Sequence, residues 1–543
     1  MHLLAAARDR VSRYPARWAS ASAVLCGIVA YANHFQNPFV YDDFRTIVDN
    51  HALDRFPDLQ AVVLHDSTRP LASISFAIDR AVWGIAPFGF HVTSLLLHLV
   101  NVVLVFLVAQ RTAIDARSGT DRRGRALETA AVASTLFAVH PALTQAVGYI
   151  SARADLLCAM GCLVTLLFFR RGVLTGAARW YIAALAAWAF AVASKELAVM
   201  LPPLLLVYDV LLLRHTGRLR DRLVRLHLPV FATMGALAAA RVFVLIGLER
   251  TLHTGVHWQH LLVEADVVRR YVSLLFLATP QSVYHAVPAV TGLSDPRAVF
   301  AVTWVAALLL LAHRAGIRDR MAVLGVAWFF LMLAPPAVLV LLNVGEPMAE
   351  HRLYVPSIGV FLAVGGGVGT LWARVGSPRR ASRPVLAVAF GLLVIFLGER
   401  TLARNQVWSD PVRLWSEATT RTPDMWWPHQ MLGEELQRRG RCAEAVEAFR
   451  TAIAAGPDEP QPYLRAGMCL TTLGRLTEAE AAFEQGRRVA PGSSRPLLGL
   501  GTVALLQGRA ADAQRYFDEA VAADPDDAEL RASIVRLTRS SRE

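Results

Sequence analysis

The chain has 543 residues, of which 55% are hydrophobic and 18% charged, and it carries a formal net charge of +12. Soluble domains are on average less apolar than this, and the apolar residues form long runs from about residue 18 to residue 400, so this part is predicted to be a polytopic membrane protein rather than a soluble domain. The excess arginine lies in short loops between the runs, which is how membrane proteins set their orientation, and it therefore does not indicate a nucleic-acid partner.

The apolar runs predict eleven membrane spans. If the arginine-rich loops all face the cytoplasm, every odd-numbered span runs outward, so the N-terminus lies inside and the C-terminus outside. The first run follows a basic N-terminus that is similar to a signal peptide, but it lacks a convincing cleavage site and is expected to remain as a span. The spans lie at about residues 18–34, 89–109, 128–147, 152–169, 178–194, 197–213, 228–247, 298–313, 321–342, 355–373 and 384–399.

Two further apolar segments are not counted as spans. The segment 266–286 is interrupted by Arg269, Arg270 and Pro280, and counting it would place the basic residues 314–320 outside. It is therefore predicted to be interfacial or re-entrant within a long outer loop. The segment 71–84 is amphipathic and is predicted to lie on the outer surface.

Two adjacent carboxylates, Asp42 and Asp43, follow the first span. Charged groups this close to a membrane boundary are costly unless they have a task. One of them is thus a candidate general base for chemistry on a lipid-linked substrate. A polar loop with two solvated aspartates is the alternative that the pair alone leaves open.

Lys195 is singled out by a residue bias. The chain contains one lysine and 54 arginines, so positions that need only a positive charge have become arginine. A compact ammonium with three donors differs from a planar guanidinium and suits a point contact to a phosphate or a carboxylate. The alternative is that Lys195 persists by chance beside Glu196.

Other polar residues lie in or beside the apolar runs. His91, His98 and Asn101 are seven and three residues apart and share one helix face, where they are also suited to bonding neighbouring helices. No histidine spacing in the sequence is typical of a zinc site, and no glycine-rich phosphate loop is found. The remaining candidates are Arg45, Arg69, His140, Arg153, Asp155, Glu196, Glu350, Arg352 and Tyr354.

The C-terminal segment repeats with a period of 34 residues. Four kinds of residue recur at this period, which is the tetratricopeptide signature of paired helices with small residues where they cross. Three repeats are near the minimum for a stable stack. The recurring positions are Gly440, Gly474 and Gly508; Ala445, Ala479 and Ala513; Phe449, Phe483 and Phe517; and Pro457, Pro491 and Pro525.

These features predict an all-α protein in which a polytopic membrane helical bundle of about eleven spans precedes an α-solenoid of tetratricopeptide repeats. The predicted domains are a membrane domain at 1–403, a connector at 404–425 and a repeat domain at 426–543. The repeats are assigned to 426–459, 460–493 and 494–527, followed by a C-terminal helix.

The ordered set of motifs resembles the C-type polytopic glycosyltransferases that take sugar from a polyprenyl phosphate. It is most similar to the transmembrane and tetratricopeptide-repeat O-mannosyltransferases and their bacterial relatives. With the repeats, the resemblance covers nearly the whole chain. The matching stretches are Phe39-Val40-Tyr41-Asp42-Asp43, Arg69-Pro70-Leu71, His91 to Asn101, His140-Pro141, Ser151-Ala152-Arg153-Ala154-Asp155, Ser194-Lys195-Glu196 and Glu350 to Ser357.

The resemblance implies a catalytic acidic residue in the first outer loop, a lipid-linked sugar donor, basic residues that hold its phosphate, and no metal or other cofactor. Asp42 or Asp43 is then the base, with Asp42 favoured, and Arg45 keeps an aspartate ionised. Lys195, Arg352 and Arg153 are expected to neutralise the leaving phosphate in an inverting, metal-independent reaction.

Three functions remain open from the sequence. A membrane hexosyltransferase on the outer, periplasmic face of a bacterial inner membrane is favoured, with a protein or glycan acceptor bound by the repeats. A lipid-sugar transporter would favour internal symmetry and broken helices. A scaffold protein without catalysis would leave the acidic pair idle.

Overall fold

The computed structural model describes residues 14–540 except 117–121, 248–258, 279, 289, 291, 293, 317–318, 342–345 and 376–381. Every regular element in these residues is helical, which confirms the predicted all-α class. Several predicted features fall partly or wholly outside the described residues. These are the basic N-terminus before Tyr14, the central parts of the basic loops 111–125, 314–320 and 374–383, and the end of the span 321–342.

The described chain forms two compact units. The first comprises residues up to Gln281 and from Val287 to Ser409, and the second comprises Ser282–Ala286 and the residues from Asp410 onward. The main helices of the first unit are α1 Pro15–Ala30, α2 Leu59–His65, α3 Pro70–Trp83, α4 Pro87–Ala116, α5 Arg122–Val139, α6 Thr144–Gly148, α7 Arg153–Thr175, α8 Ala178–Ser194, α9 Leu201–Tyr208, α10 Leu219–Arg222, α11 Leu228–Gly247, α12 Gln259–Leu277, α13 Pro296–Gly316, α14 Arg320–Leu341, α15 Tyr354–Val375 and α16 Ser382–Trp408.

Five stretches of the described chain are helical, long and apolar enough to cross a membrane. A sixth is counted if the segments Arg123–Val139 and Pro141–Gly148, which bend by 57° at His140, form one span. The first unit is thus a multi-pass membrane domain, but the predicted number of about eleven spans is not confirmed. The five are Pro87–Ala116, Ile150–Thr175, Glu196–Leu213, Glu350–Trp372 and Pro384–Trp408.

Several predicted spans correspond to shorter apolar helices. Pro15–Ala30 and Ala178–Ser194 have 16 and 17 residues, below the ~20 residues that cross a bilayer core without thinning it. The segment 266–286, predicted to be interfacial or re-entrant, consists of the later part of α12 up to Leu277 and an irregular stretch after it. Hydropathy alone therefore predicts where the apolar helices lie, but it does not predict how many of them cross the membrane.

Short helical turns interrupt the long helices of the first unit. A π-helical turn spans Phe44–Val48, and 3₁₀ turns span His51–Arg55, Pro141–Leu143, Ile150–Ala152, Glu196–Met200 and Glu350–Leu353. Such interruptions leave backbone groups without regular helical partners, and polar side chains satisfy them. Most of the polar motifs singled out in the sequence coincide with these interruptions, whereas His91 to Asn101 lie within α4.

The second unit is a stack of helix pairs. Its helices are α17 Pro411–Arg421, α18 Trp426–Arg438, α19 Cys442–Ala455, α20 Pro460–Thr472, α21 Leu476–Val489, α22 Ser494–Leu506, α23 Ala510–Ala523 and α24 Ala528–Ser540. Gly440, Gly474 and Gly508 end the first helix of each pair with φ near 70–80°, a left-handed conformation that favours glycine. The period in the sequence thus reflects a turn that every repeat needs.

A second glycine column lies where the paired helices cross. A Cβ atom on Gly467 would lie 2.6 Å from the ring of Phe483, which is closer than van der Waals contact allows. Gly433 and Gly501 meet Phe449 and Phe517 in the same way. The aromatic ring of one helix therefore requires a residue without a side chain on the other.

Replacing Gly467 by alanine is expected to loosen the second repeat. Overpacking against a buried ring costs roughly 1–3 kcal/mol, so the free energy of local opening of α20 and α21 should fall by about that amount. Amide hydrogen exchange of the full-length protein measures it. Gly492→Ala is the control, because a Cβ there meets no atom within 4 Å; equal exchange in both variants would contradict the packing argument.

Candidate active site

A cavity of about 420 Å³ lies beside the two aspartates, within the size range of small-molecule sites. It opens among the loop after α1, the start of α3, the junction between α6 and α7, and the turn before α15. Its polar lining includes Asp42, Arg45, Thr46, Asp66, Arg69, Tyr149, Ser151, Asp155 and His351. The structure thus brings together five of the residues selected from the sequence: Asp42, Arg45, Arg69, Asp155 and, behind the lining, Asp43.

Asp43 is the buried member of the acidic pair, with 1% of its surface exposed. One carboxylate oxygen accepts hydrogen bonds from the backbone N–H of Ser151 at 2.8 Å and from its hydroxyl at 2.5 Å. The other oxygen accepts from the backbone N–H of Val40 at 3.2 Å. Burial raises the pKa of Asp43 to about 7, although these hydrogen bonds oppose the rise. Asp43 therefore ties the first loop to the start of α7.

Asp42 is the exposed member, and 43% of its side chain is accessible. Its backbone N–H donates to the hydroxyl of Tyr149 at 3.2 Å. The preceding residue, Tyr41, has φ +54°, a left-handed conformation that is strained for a bulky side chain. The Tyr41 hydroxyl donates to Glu346 at 2.8 Å, and its ring stacks on Tyr149. These contacts hold a turn that leaves the Asp42 carboxylate facing the cavity.

The two arginines near Asp42 differ in exposure and in their ion-pair partners. Arg45 is 3.9 Å from the Asp42 carboxylate and 82% exposed, so water screens this pair strongly. Arg69 lines the cavity and lies 3.6 Å from Glu196. Burial lowers the pKa of the Arg69 guanidinium, but the surrounding carboxylates, Glu196 first, raise it further, so Arg69 stays charged. The cavity therefore combines an accessible carboxylate with a permanently charged guanidinium.

Lys195 forms a buried ion pair directly behind the cavity. Its ammonium donates to both carboxylate oxygens of Asp155 at 2.8 Å, and the two side chains are 6% and 1% exposed. Asp155 lines the cavity, whereas Lys195 does not. The observed partner of the Lys195 ammonium is thus a carboxylate, and its predicted contact with a donor phosphate stays a prediction.

Arg153 is enclosed rather than presented to the cavity. It is fully buried, lies 2.6 Å from the Asp79 carboxylate and donates to the backbone carbonyl of Phe90 at 2.8 Å. Its guanidinium lies 4.8 Å from the ring centre of Phe76. These contacts join α3, α4 and α7, so the predicted phosphate contact of Arg153 would require the helices to separate.

Arg352 and Glu350 lie in the turn before α15 but are not part of the cavity lining. The Arg352 guanidinium donates to the backbone carbonyl of Glu346 at 2.8 Å. The carboxylate of Glu350 is 1% exposed and accepts from the Gln281 amide at 3.2 Å. Both residues fix the chain around the turn, and their predicted contact with a donor remains a prediction.

The histidine and asparagine candidates bond neighbouring helices. His98 and Asn101 on α4 both bond the hydroxyl of Tyr354 on α15, at 2.8 and 3.2 Å. His91 bonds the backbone carbonyl of Asn37 at 2.9 Å, and His140 bonds that of Leu275 at 2.9 Å. These four residues are buried and satisfy helix ends and bends. Their geometry agrees with the alternative considered from the sequence, in which they join helices.

Five of the nine polar lining residues named above were not selected from the sequence: Thr46, Asp66, Tyr149, Ser151 and His351. Ser151 and His351 lie inside matching motifs, but nothing in their spacing shows which way they point. Tyr149 packs between Tyr41 and Trp408, with ring planes inclined by 25° to each. Burial, with Asp43 and Asp42 nearby, raises the pKa of Tyr149, so its hydroxyl stays protonated. Only the contacts across more than 100 residues identify these side chains.

The arrangement of potential metal ligands is the next feature of the described residues. Among the residues that the structure describes, no three His, Cys, Asp or Glu side chains are grouped so that they could hold a metal ion. The prediction of a metal-independent reaction remains a prediction.

Comparison with known proteins extends the motif evidence. A model of the tetratricopeptide repeat family matches residues 431–494 and 473–528. Protein O-mannosyl-transferase TMTC4 of Homo sapiens is 26% identical over 496 residues, which cover 80% of this chain and 66% of that protein. Protein O-mannosyl-transferase Tmtc1 of Drosophila melanogaster is 26% identical over 535 residues, which cover 78% of this chain and 60% of that protein.

The chain is thus similar in sequence to these O-mannosyltransferases over most of its length. The resemblance inferred from the ordered motifs is thereby confirmed, and so are the repeats. The chain spans 60–66% of the length of these two relatives. Among solved structures, a tetratricopeptide protein of Thermus thermophilus is 18% identical, covering 28% of this chain and 94% of that chain with a TM-score of 0.22, which supports no argument about the fold.

Asp43 should make stability depend on pH. Its pKa of about 7 in the folded protein lies above the ordinary value of 3.8, so its contribution is fully present below pH ~4 and is lost as pH rises through about 7. Asp43→Asn should remove this dependence, which amounts to a few kcal/mol. Melting temperatures of the purified protein between pH 4 and 8 measure it. Asp49→Asn, an exposed neighbour, should keep the wild-type slope; an unchanged slope in Asp43→Asn would refute the assignment.

The Lys195–Asp155 pair gives a second prediction. Lys195→Met leaves a buried carboxylate without its partner and should destabilise the protein by roughly 3–5 kcal/mol. The double variant Lys195→Met with Asp155→Leu removes both charges and should recover most of that loss. Thermal unfolding in detergent compares the two. If the single variant is as stable as the wild type, the pair does not hold the fold, and Lys195 is free for another role.

Proposed function

We propose that this chain is a membrane glycosyltransferase that moves a sugar from a polyprenyl-phosphate donor to an acceptor on the outer, periplasmic face of a bacterial inner membrane. The observation that carries the proposal is the cavity that both the accessible carboxylate of Asp42 and the guanidinium of Arg69 line. One supplies a base and the other a fixed positive charge. The names of the relatives favour mannose as the sugar and a protein as the acceptor.

Asp42 is proposed as the general base. It takes the proton of the acceptor hydroxyl while the hydroxyl oxygen attacks the anomeric carbon of the sugar. The bond between that carbon and the phosphate oxygen breaks, and polyprenyl phosphate leaves with the electron pair. A single displacement of this kind inverts the configuration at the anomeric carbon. Asp43 is proposed to position Asp42, because its hydrogen bonds to Ser151 and Val40 already occupy both carboxylate oxygens.

Arg69 is proposed as the main contact of the leaving phosphate. It is a charged residue of the cavity lining, and a planar guanidinium suits a phosphate. Lys195 is proposed to act indirectly. Its ammonium pairs with the Asp155 carboxylate in the cavity lining and so reduces the repulsion between that carboxylate and the donor phosphate. Charges that are fixed before the reaction stabilise the developing phosphate without a metal ion, which is consistent with a metal-independent transfer.

The repeats are proposed to bind the acceptor. Stacked helix pairs form concave surfaces that hold extended peptides or partner helices. Within the repeat unit, a groove of about 520 Å³ is lined by Leu464, Met468 and Leu498 together with Arg465 and Arg495. The lining also contains Asp527 and Glu529, and Arg465 pairs with Glu434, so the groove suits a polypeptide that carries apolar side chains and polar groups of both charges.

Replacing the base tests the catalytic proposal. Asp42→Asn should lower transfer by about 10²–10⁴ and leave folding and donor binding intact, because the amide cannot accept the proton. Transfer of labelled mannose from a polyprenyl phosphate to protein, in membranes that contain the full-length chain, measures the rate. Asp49→Asn is the matched control, since it removes an exposed carboxylate of the same turn.

Two outcomes would refute parts of this proposal. Normal transfer by both Asp42→Asn and Asp43→Asn would exclude the acidic pair as the base. Complete loss of transfer with EDTA, restored by manganese or magnesium, would instead make the aspartates metal ligands.

A further inference from the structure

A second groove lies far from the cavity, on the surface of the membrane unit. It has a volume of about 400 Å³ between the end of α9 with the π-helical turn Asp209–Leu213 and the start of α14. Its floor is aliphatic and includes Val207, Val210 and Leu211 on one side and Val323 on the other. Val210 is 42% exposed, so the floor is accessible to an apolar ligand.

Two arginines lie at one end of this groove. Arg214 follows the span Glu196–Leu213, and Arg320 begins α14, so one guanidinium comes from each wall. Among the described residues, neither side chain has a hydrogen-bond or ion-pair partner. Arg170 and Arg222, at the same end of the helices, are paired with Asp115 and Asp209, whereas Arg218 and Arg220 are exposed and lie outside the groove lining. The two groove arginines thus have unused donors.

The position of the groove separates it from the donor site. Glu196, which pairs with Arg69 of the cavity, begins the span that ends before Arg214. Eighteen residues of helix correspond to roughly 27 Å. The groove therefore lies at the opposite membrane boundary from Asp42, and a phosphate bound there cannot be the leaving group of a reaction at Asp42.

We propose that this groove binds an anionic glycerophospholipid. The guanidiniums of Arg214 and Arg320 together hold the phosphate of the headgroup, and one acyl chain lies along the aliphatic floor. Two positive groups without partners among the described residues, next to an aliphatic floor, match an amphiphile with a negative head. A zwitterionic lipid offers the same chain but adds a positive amine, which the arginines repel.

Lipid binding to the purified full-length protein tests the proposal. Native mass spectrometry with phosphatidylglycerol and with phosphatidylethanolamine of the same acyl chains gives the two dissociation constants. Arg214→Gln with Arg320→Gln should weaken phosphatidylglycerol binding by about thirtyfold, since each arginine near a lipid headgroup contributes a factor of about five. Arg218→Gln with Arg220→Gln removes two exposed charges from the same loop and should leave binding unchanged.

A second variant tests the acyl-chain channel independently. Val210→Trp fills the floor and should also weaken phosphatidylglycerol binding, whereas Val388→Trp, at another exposed apolar position, should not. Both tryptophan variants keep Arg214 and Arg320, so the comparison remains informative if removal of the arginines prevents folding.

Three results would overturn the proposal. Equal affinity for the two phospholipids would remove the role of the headgroup charge. Equal losses in the two arginine double variants would show attraction by the loop as a whole. Displacement of phosphatidylglycerol by polyprenyl phosphate at lower concentration would identify the lipid carrier as the occupant.

Discussion

The buried carboxylate of Asp43 is the constraint on which the candidate site depends. Its two oxygens bind backbone and side-chain donors from Val40 and Ser151, residues that are more than 100 positions apart in the chain. This connection fixes the loop after α1 against the start of α7. Asp42, the preceding residue, is thereby held at the cavity, where 43% of its side chain is accessible. Adjacent aspartates thus lie in different environments, and we propose that Asp43 supports the turn while Asp42 reacts.

The rest of the cavity follows from the same arrangement. Its polar residues lie where long apolar helices are interrupted by short turns, and at those turns backbone groups need side-chain partners. Buried ion pairs, Lys195 with Asp155 and Arg153 with Asp79, hold the surrounding helices together. Such pairs are strongly destabilising to break, because a lone buried charge remains. The polar motifs of the sequence therefore combine structural residues with the few that face the cavity.

The sequence predicted the all-α class and the repeats, and it selected four of the nine polar residues named in the cavity lining. The glycines of the repeats could be predicted from the sequence, because a left-handed turn and a close contact with an aromatic ring recur every 34 residues. The number of membrane spans could not be predicted from the sequence, because hydropathy does not distinguish a helix that crosses the whole membrane from a shorter apolar helix such as Ala178–Ser194.

The roles of individual arginines were also hidden. Arg153, Arg352 and Arg69 all lie in matching motifs, yet only Arg69 lines the cavity, while Arg153 is enclosed by two aromatic rings and a carboxylate. Which way a long side chain points depends on contacts between distant helices, and a single sequence does not contain these distances. Tyr149 and His351 were missed for the same reason.

The central claim is that the donor phosphate binds at Arg69 with the sugar facing Asp42. A structure of the full-length protein with a non-hydrolysable polyprenyl phosphonate sugar tests it most directly. The account predicts the phosphonate within hydrogen-bond distance of the Arg69 guanidinium and the anomeric carbon open to attack from the side of Asp42. A phosphonate bound at Arg352, or at Arg214 and Arg320, with the cavity empty, would contradict it.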